Sequence, residues 1–338
     1  MRMNWKILGH DWAVDALAEH ISRKAVRHAY LFTGPQGVGR RTLAIRFAQA
    51  LNCRHTLIPG QPCGECRACR LIEQQQHPDL MVVQSEQVGM QLMIDQIREI
   101  QHTLSLSPYE ATYRIAVILR FDEASPGAMN ALLKTLEEPP APVILLLTAA
   151  NEELLLPTIS SRCEILRLRP LTMDQLDQGM QTLWDVPPEK AKYLAHIAGG
   201  RPGYAYSLLT DADVENDRNS ALGELSTLLA ATRVERFAFV EKYYTHKDEK
   251  KNRAAARFLL QNWLSFWRDV LITTAGAKAP IQNIDREQEI HTLADRFGLD
   301  VARNMVFGLD KTMSLLDKNV KTRLALEVLM LDLPFTNS

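Results

Sequence analysis

The sequence predicts an α/β domain, a parallel sheet with helices on both faces, followed by a small helical lid and an all-helical C-terminal domain. Three observations predict it. Short apolar runs alternate with amphipathic stretches through the first half, a glycine-rich loop joins the first run to a helix, and strand signals stop after Pro170. Strand–helix alternation implies a parallel sheet, because each return to the same edge needs a crossover that covers a face.

The candidate strands are Ala29–Thr33, Leu80–Gln84, Ile115–Leu119, Val143–Leu147 and Ile165–Leu168. Helical patterns lie at Trp12–Ile21, Arg41–Leu51, Met93–Leu104 and Ala128–Glu137, the last stopped by Pro139-Pro140. Leu171–Leu209 reads as a small helical unit punctuated by Pro187-Pro188 and Gly199-Gly200. Asp211–Asp217 is polar and acidic and reads as a linker. From about Arg218 to Leu333 apolar residues recur at helical spacing. The expected domains are 1–169, with an inserted module at 53–69, then 170–210 and 211–338.

Composition narrows the function. With 338 residues, 46% hydrophobic and 23% charged, the chain can bury a substantial core. A net charge of -1 excludes a global basic field, so nucleic-acid contact would need a local patch. No apolar run is long enough to span a bilayer. Met1-Arg2-Met3-Asn4-Trp5-Lys6 lacks an apolar signal core, and the expected compartment is the cytoplasm.

Four of five cysteines crowd together as Cys53-x9-Cys63-x2-Cys66-x2-Cys69. Four soft ligands at that spacing suit a tetrahedral Zn²⁺, and a full ligand set makes it structural. Gly60, Pro62 and Gly64 supply the turns. Free thiols or disulfides are the alternatives, with His55 and His77 as substitute ligands.

Thr33-Gly34-Pro35-Gln36-Gly37-Val38-Gly39-Arg40-Arg41-Thr42 runs from strand through glycine loop to helix, as a phosphate loop does. Gly34 and Gly39 fit, with Gly37 between them. Arg40 stands at the lysine position and Arg41 at the Mg²⁺-binding hydroxyl position. Thr42 is one residue late, about 100° round the helix. Arginine pairs with phosphate but does not reproduce a compact ammonium. The loop is therefore a retained glycine turn or a weak nucleotide site without hydrolysis. A working site also needs an aspartate at a neighbouring strand end. Arg120-Phe121-Asp122-Glu123 follows Ile115–Leu119. If the strand ends at Leu119 the metal position is apolar; if it continues through Phe121, Asp122 reaches it.

Asn130-Ala131-Leu132-Leu133-Lys134-Thr135-Leu136-Glu137-Glu138-Pro139-Pro140 resembles the signature of bacterial DNA polymerase III clamp-loader subunits, AAA+ proteins that place a sliding clamp on primed DNA. Pro157-Thr158-Ile159-Ser160-Ser161-Arg162-Cys163 resembles the Ser-Arg-Cys motif of that family. His77-Pro78-Asp79 and Ile94-Asp95-Gln96-Ile97-Arg98 continue the likeness, which covers roughly residues 1–210. The helical remainder fits the family's collar.

The resemblance implies a ruler. Counting back from Asn130 places the magnesium aspartate at Leu119 and its partner acid at Arg120, leaving Asp122 and Glu123 as solvated loop residues. The sensor residue falls near Ala149 or Ala150, beside Thr148, and the lid arginine of active members aligns with Gly203. The losses resemble the family's delta-prime branch, related to the gamma/tau ATPases but not turning over ATP. That implies a heteropentamer with three gamma/tau copies and one delta in the bacterial, nucleoid-associated replisome, reaching clamp and primed DNA through the complex.

The resemblance also implies that Arg162 projects into a neighbour's nucleotide site as an arginine finger, where a charged fork matches phosphate oxygens. The alternative is a surface arginine capping a loop. Cys163 is expected to be small and buried. A gamma-type ATPase using Arg40 and Asp122 is the second functional reading, and a zinc-dependent DNA-binding protein the third. Lys247–Arg253 reads as a solvated face. Trp263, Phe266 and Trp267 read as helical core.

Overall fold

The computed structural model describes residues 5–85, 91–140, 142–243, 248–318 and 320–336. Contacts divide the chain into Met1–Pro187 with Gly200–Tyr204, and Pro188–Gly199 with Ala205–Ser338. The segment expected as a lid is thus shared between the two units.

The first unit holds strands β1 (Ala29–Thr33), β2 (Leu80–Val83), β3 (Arg114–Ile118), β4 (Val143–Ala149) and β5 (Glu164–Arg167). Their order is β2-β3-β4-β1-β5, every pair parallel. β4 runs past Leu147 because Thr148 and Ala149 pair with Phe32 and Thr33. Side chains alternate between faces. Tyr30, Phe32, Val117 and Leu146 join one core, Leu31, Ala116, Leu145 and Leu147 the other.

Helices α1 (Asp11–Ser22), α2 (Arg40–Asn52), α3 (Arg67–Glu73), α4 (Ile94–Leu104), α5 (Pro126–Glu137), α6 (Pro157–Ser160) and α7 (Met173–Trp184) complete this unit. α1 and α2 cover the Tyr30 face; α4 and α5 cover the Leu31 face. Local chemistry sets their ends. The Ser125 side chain accepts from Ala128 N–H at the start of α5, where Pro126 needs no N–H partner. Thr172 and Gln175 close a capping box on α7.

The rest is helical: α8 (Pro188–Ala198), α9 (Pro202–Thr210), α10 (Ala212–Ala230), α11 (Arg233–Tyr243), α12 (Glu249–Thr274), α13 (Glu287–Asp317, interrupted at Gly298) and α14 (Thr322–Asp332). Asp211–Asp217 is not a linker. Asp211 caps α10 by accepting from Asp213 N–H, and Asp213 and Glu215 occupy its first turn. Acids there complement the exposed N–H groups, so an acidic run marks a helix start. In 247–253, Lys247 lies outside the described residues and Lys250 and Lys251 are exposed, but Asn252 is buried and Asp248 caps α12. Trp263, Phe266 and Trp267 are buried in the second unit's core, and Trp263 Nε1 donates to the Ala221 carbonyl at 2.8 Å.

Candidate functional site

Parallel strands place all their C-terminal ends along one edge, where ligand-binding loops collect. Gly34 leaves β1 there with φ 142°. A Cβ at Gly34 would lie 2.4 Å from the Leu168 carbonyl oxygen, so only glycine fits. Gly34 N–H donates to the Ala150 carbonyl at 3.2 Å. Gly37 and Gly39 also have positive φ, and Gly39 precedes α2. Arg41 and Thr42 face solvent, whereas Arg40 is half-buried.

The loop is engaged from the opposite side by Gly203, whose N–H donates to the Gly37 carbonyl at 2.7 Å. A side chain at Gly203 would begin 2.9 Å from that oxygen. A side chain at this position would have to displace the Gly37 carbonyl, so glycine at 203 is a packing requirement. Sequence reasoning missed His10. Its ring is buried, with Nε2 2.9 Å from the Val38 carbonyl, and burial lowers its pKa. A lone histidine carries no spacing signal, so nothing in the sequence singled it out.

β3 ends at Ile118, and the strand does not continue through Phe121. Leu119 is buried, its N–H donating to the Val83 carbonyl at 2.8 Å. Arg120 turns left-handed (φ 51°) into a short 3₁₀ turn, Phe121–Glu123. Its N–H donates to Thr148 Oγ1 at 2.9 Å. Its guanidinium donates to Glu123 at 3.0 Å and to the Ser85 carbonyl and hydroxyl at 3.0 and 2.8 Å. Ser85 in turn donates to Glu123 at 2.6 Å. The polar group nearest the sensor position, Thr148, is thus bonded to the Arg120 backbone.

Asp122 and Glu123 are not solvated loop residues. The turn at Arg120 folds both inward. Glu123 accepts the Arg120 and Ser85 bonds, and Asp122 Oδ2 accepts from Ala150 N–H at 3.1 Å. Burial raises the Asp122 pKa, opposed by the Ala150 bond and by the charge of Arg40. Burial lowers the Arg40 pKa, and Asp122 is the leading charge opposing that fall. Asp122 Oδ1 and Arg40 Nη1 are both buried without a hydrogen bond. The two side chains that would have to serve a nucleotide therefore act electrostatically on each other.

α2 carries the chain back to the amino edge of the sheet and delivers Cys53. Asn52, its last residue, exchanges bonds of 2.9 Å with the Tyr113 N–H and carbonyl, just before β3. The sulfurs of Cys53, Cys63, Cys66 and Cys69 all lie within 4.8 Å of one another, with Cys63 and Cys69 Sγ 3.9 Å apart. Tetrahedral zinc with bonds of about 2.3 Å needs sulfurs roughly 3.8 Å apart, so the cluster fits. Backbone N–H groups of Cys63, Cys66 and Cys69 donate to the sulfurs of Cys53, Cys63 and Cys66 at 3.3–3.4 Å. These bonds favour thiolate: burial would raise Cys63, but hydrogen bonds from the N–H groups of Cys66 and Glu65 and from the Cys53 and Cys66 side chains together bring it to about 7. Burial raises Cys53. A divalent cation resolves that conflict by holding four sulfurs as thiolates. The cluster is a structural zinc site. His77 stands outside the cluster: its Nδ1 accepts from Asp79 N–H at 3.1 Å and its Nε2 faces Glu110 at 3.7 Å.

Asp79 explains the motif around it. Fully buried, it accepts from Tyr109, Glu110 and Ala111 N–H at 2.6, 2.9 and 2.9 Å and pairs with Arg114 at 3.2 Å. It anchors the segment that enters β3.

Arg162 lies at the same amino edge, two residues before β5, whose Glu164 pairs with Tyr30. The chain's own glycine loop is at the other end of β1. Five residues at about 3.3 Å each separate the edges by roughly 16 Å. Arg162 Nη1 donates to the Thr158 carbonyl at 2.9 Å, and Nη2 meets Glu137 Oε1 at 2.9 Å. Cys163 is half-buried, and burial pushes its thiol up to about 12.

Comparison with known proteins adds to this geometry. A family model described as DNA polymerase III, delta subunit, matches residues 9–172. The Pseudomonas aeruginosa DNA polymerase III subunit delta' is 35% identical over 177 residues, 52% of this chain and 53% of that protein. The Bacillus subtilis DNA polymerase III subunit delta' is 27% identical over 334 residues, 98% of each. The Bacillus subtilis DNA polymerase III subunit tau is 26% identical over 325 residues, 90% of this chain and 57% of that protein. The chain spans 33% to 57% of the length of the tau and tau/gamma relatives matched first. Among the described residues, no helix is long and apolar enough to cross a membrane.

Proposed function

We propose that the chain is a member of the bacterial DNA polymerase III clamp-loader family and, within it, a delta-prime subunit: one that does not hydrolyse ATP and completes the ATP site of a neighbouring gamma/tau subunit; the match over residues 9–172 and the likeness to two delta' subunits support this reading. The observation that carries this reading is the separation of Arg162 from the chain's own loop. A partly exposed guanidinium at the amino edge cannot reach a phosphate at the carboxyl edge of the same sheet, but it can reach one held by another subunit. There its fork would stabilise charge developing on the transferred phosphoryl group.

The carboxyl edge supports the other half of the reading. Leu119 offers no ligand at the metal position, Arg120 is bonded to Glu123 and Ser85, and Gly203 lies against Gly37. The domains 1–169, 170–210 and 211–338 then take the roles of ATPase-like domain, lid and collar, in a hetero-oligomer with gamma/tau and delta that acts on the sliding clamp and primed DNA.

The test is reassembly of the full chain with gamma/tau and delta. Arg162→Ala should assemble normally and slow single-turnover ATP hydrolysis at the adjoining site by about 10³-fold, the lower range for an arginine finger. An unchanged rate rejects the reading. The proximity of Arg40 and Asp122 favours a second reading, a gamma-type ATPase with an atypical loop. It requires the isolated chain to hydrolyse ATP with Mg²⁺ and Asp122→Asn to abolish that activity.

A further inference from the structure

We propose that Glu137 is a positioning residue for Arg162, holding the guanidinium in the orientation in which it meets a neighbour's phosphate; this rests on the in-trans role proposed for Arg162. The two residues belong to different sequence motifs, and nothing in their spacing pairs them. The fold does. β3 and α5 form a strand-and-return unit that ends at the amino edge with Glu137, and α6 leads into β5 at the same edge with Arg162. Their side chains meet at 2.9 Å.

The location of Glu137 is unfavourable for an acid. It is the last residue of α5, where unpaired carbonyls concentrate negative charge and a cation is preferred. A carboxylate there needs a nearby positive partner, and Arg162 is that partner. Both backbones are fixed. Pro139-Pro140 ends α5 directly after Glu137 and Glu138. On the other side Ile159 is fully buried, and Arg162 N–H donates to its carbonyl at 3.1 Å. What remains free is the long arginine side chain. Thr158 and Glu137 restrain it from two directions.

The pair orients more than it stabilises. The side chains are 35% and 51% exposed, a setting in which an ion pair adds little to folding. Nor does it consume the fork. Thr158 takes one of the guanidinium's five N–H groups and Glu137 faces a second nitrogen, so donors remain for an incoming oxyanion. A parked arginine would have its donors saturated and its side chain covered; this one has neither.

The experiment compares Glu137→Ala, Glu137→Asp, Arg162→Ala and the Glu137→Ala/Arg162→Ala double variant, each reassembled as full chain with gamma/tau and delta. Single-turnover ATP hydrolysis is followed against ATP concentration. Glu137→Ala should lower the maximal rate about 2- to 5-fold without moving the half-saturating ATP concentration, as expected for loss of a surface ion pair that acts only on orientation. Glu137→Asp should recover part of the rate. In the double variant the alanine at 137 should add nothing to the loss caused by Arg162→Ala. An unchanged Glu137→Ala beside a slow Arg162→Ala overturns the proposal alone, as does an additive loss in the double variant. An unchanged Arg162→Ala overturns the underlying reading, and the proposal with it.

Discussion

At the carboxyl edge of the sheet the polar groups bond to one another. Arg120 is held by Glu123, Ser85 and Thr148, Asp122 by Ala150, and Gly37 by Gly203. At the amino edge, Arg162 and Glu137 pair with each other yet stay open to solvent. Both edges belong to one five-stranded sheet, so the difference comes from the loops and side chains at its ends and not from the sheet itself. The edge that would hold a nucleotide has turned its groups inward, and the edge that could serve another subunit keeps its groups available. On the function proposed above, the scaffold has given up its own site and kept the part of its surface that completes another subunit's.

The largest effect should come from stripping the metal from the amino edge. Zinc binding at a four-thiolate site carries on the order of 10 kcal/mol, and four uncompensated sulfurs within 4.8 Å cannot all remain thiolates. Chelation should lower the Tm and open the segment 53–69 to protease, while cobalt refilling should give the absorption of a tetrahedral thiolate site. If the Tm and the cleavage pattern are indifferent to chelation, the cluster is not what organises this edge.

A smaller effect should come from the carboxyl edge. Arg40→Ala removes the charge that opposes the burial of Asp122. The expected cost is about 1–3 kcal/mol of stability, the range for a buried group left unsatisfied. Asp122→Asn in the same chain should restore part of it, because the two charges act as a unit. ATP hydrolysis by the reassembled complex should not change. The opposite pattern, lost hydrolysis with intact stability, would mean that the loop holds a nucleotide and that the contrast between the edges is false.

Much of this was legible in the sequence because it is local. Buried parallel strands read as apolar runs, and the zinc ligands announce themselves by spacing. Strand ends moved by a residue or two, as at β4, because pairing with a neighbour and not composition sets where a strand stops: Thr148 and Ala149 pair with β1 after the pairing with β3 has ended. Asp211–Asp217 was misread because acids mark helix starts as readily as linkers. The inward turn of Asp122 and Glu123 depends on one left-handed residue, Arg120, which local propensity does not indicate. Ser85, just past β2, and Thr148, on β4, join that network from distant parts of the chain, and Glu137 finds Arg162 only through the topology. Those contacts exist after folding and leave no periodicity behind.

The smallest expected effect is on the stability of the isolated chain carrying Arg162→Ala. Its ion pair with Glu137 is solvent-screened, and its bond to the Thr158 carbonyl is within one turn of chain. The loss should be below about 1 kcal/mol by thermal or denaturant unfolding. Removing the arginine also relieves the cost of ordering a long side chain, which pulls the figure towards zero. The same substitution should slow a neighbour's ATP site by orders of magnitude. Residues that hold a fold together cannot show that divergence, because their loss is felt in the free chain first. A destabilisation of several kcal/mol in the isolated Arg162→Ala chain would therefore recast the amino edge as structural and erase its contrast with the carboxyl edge.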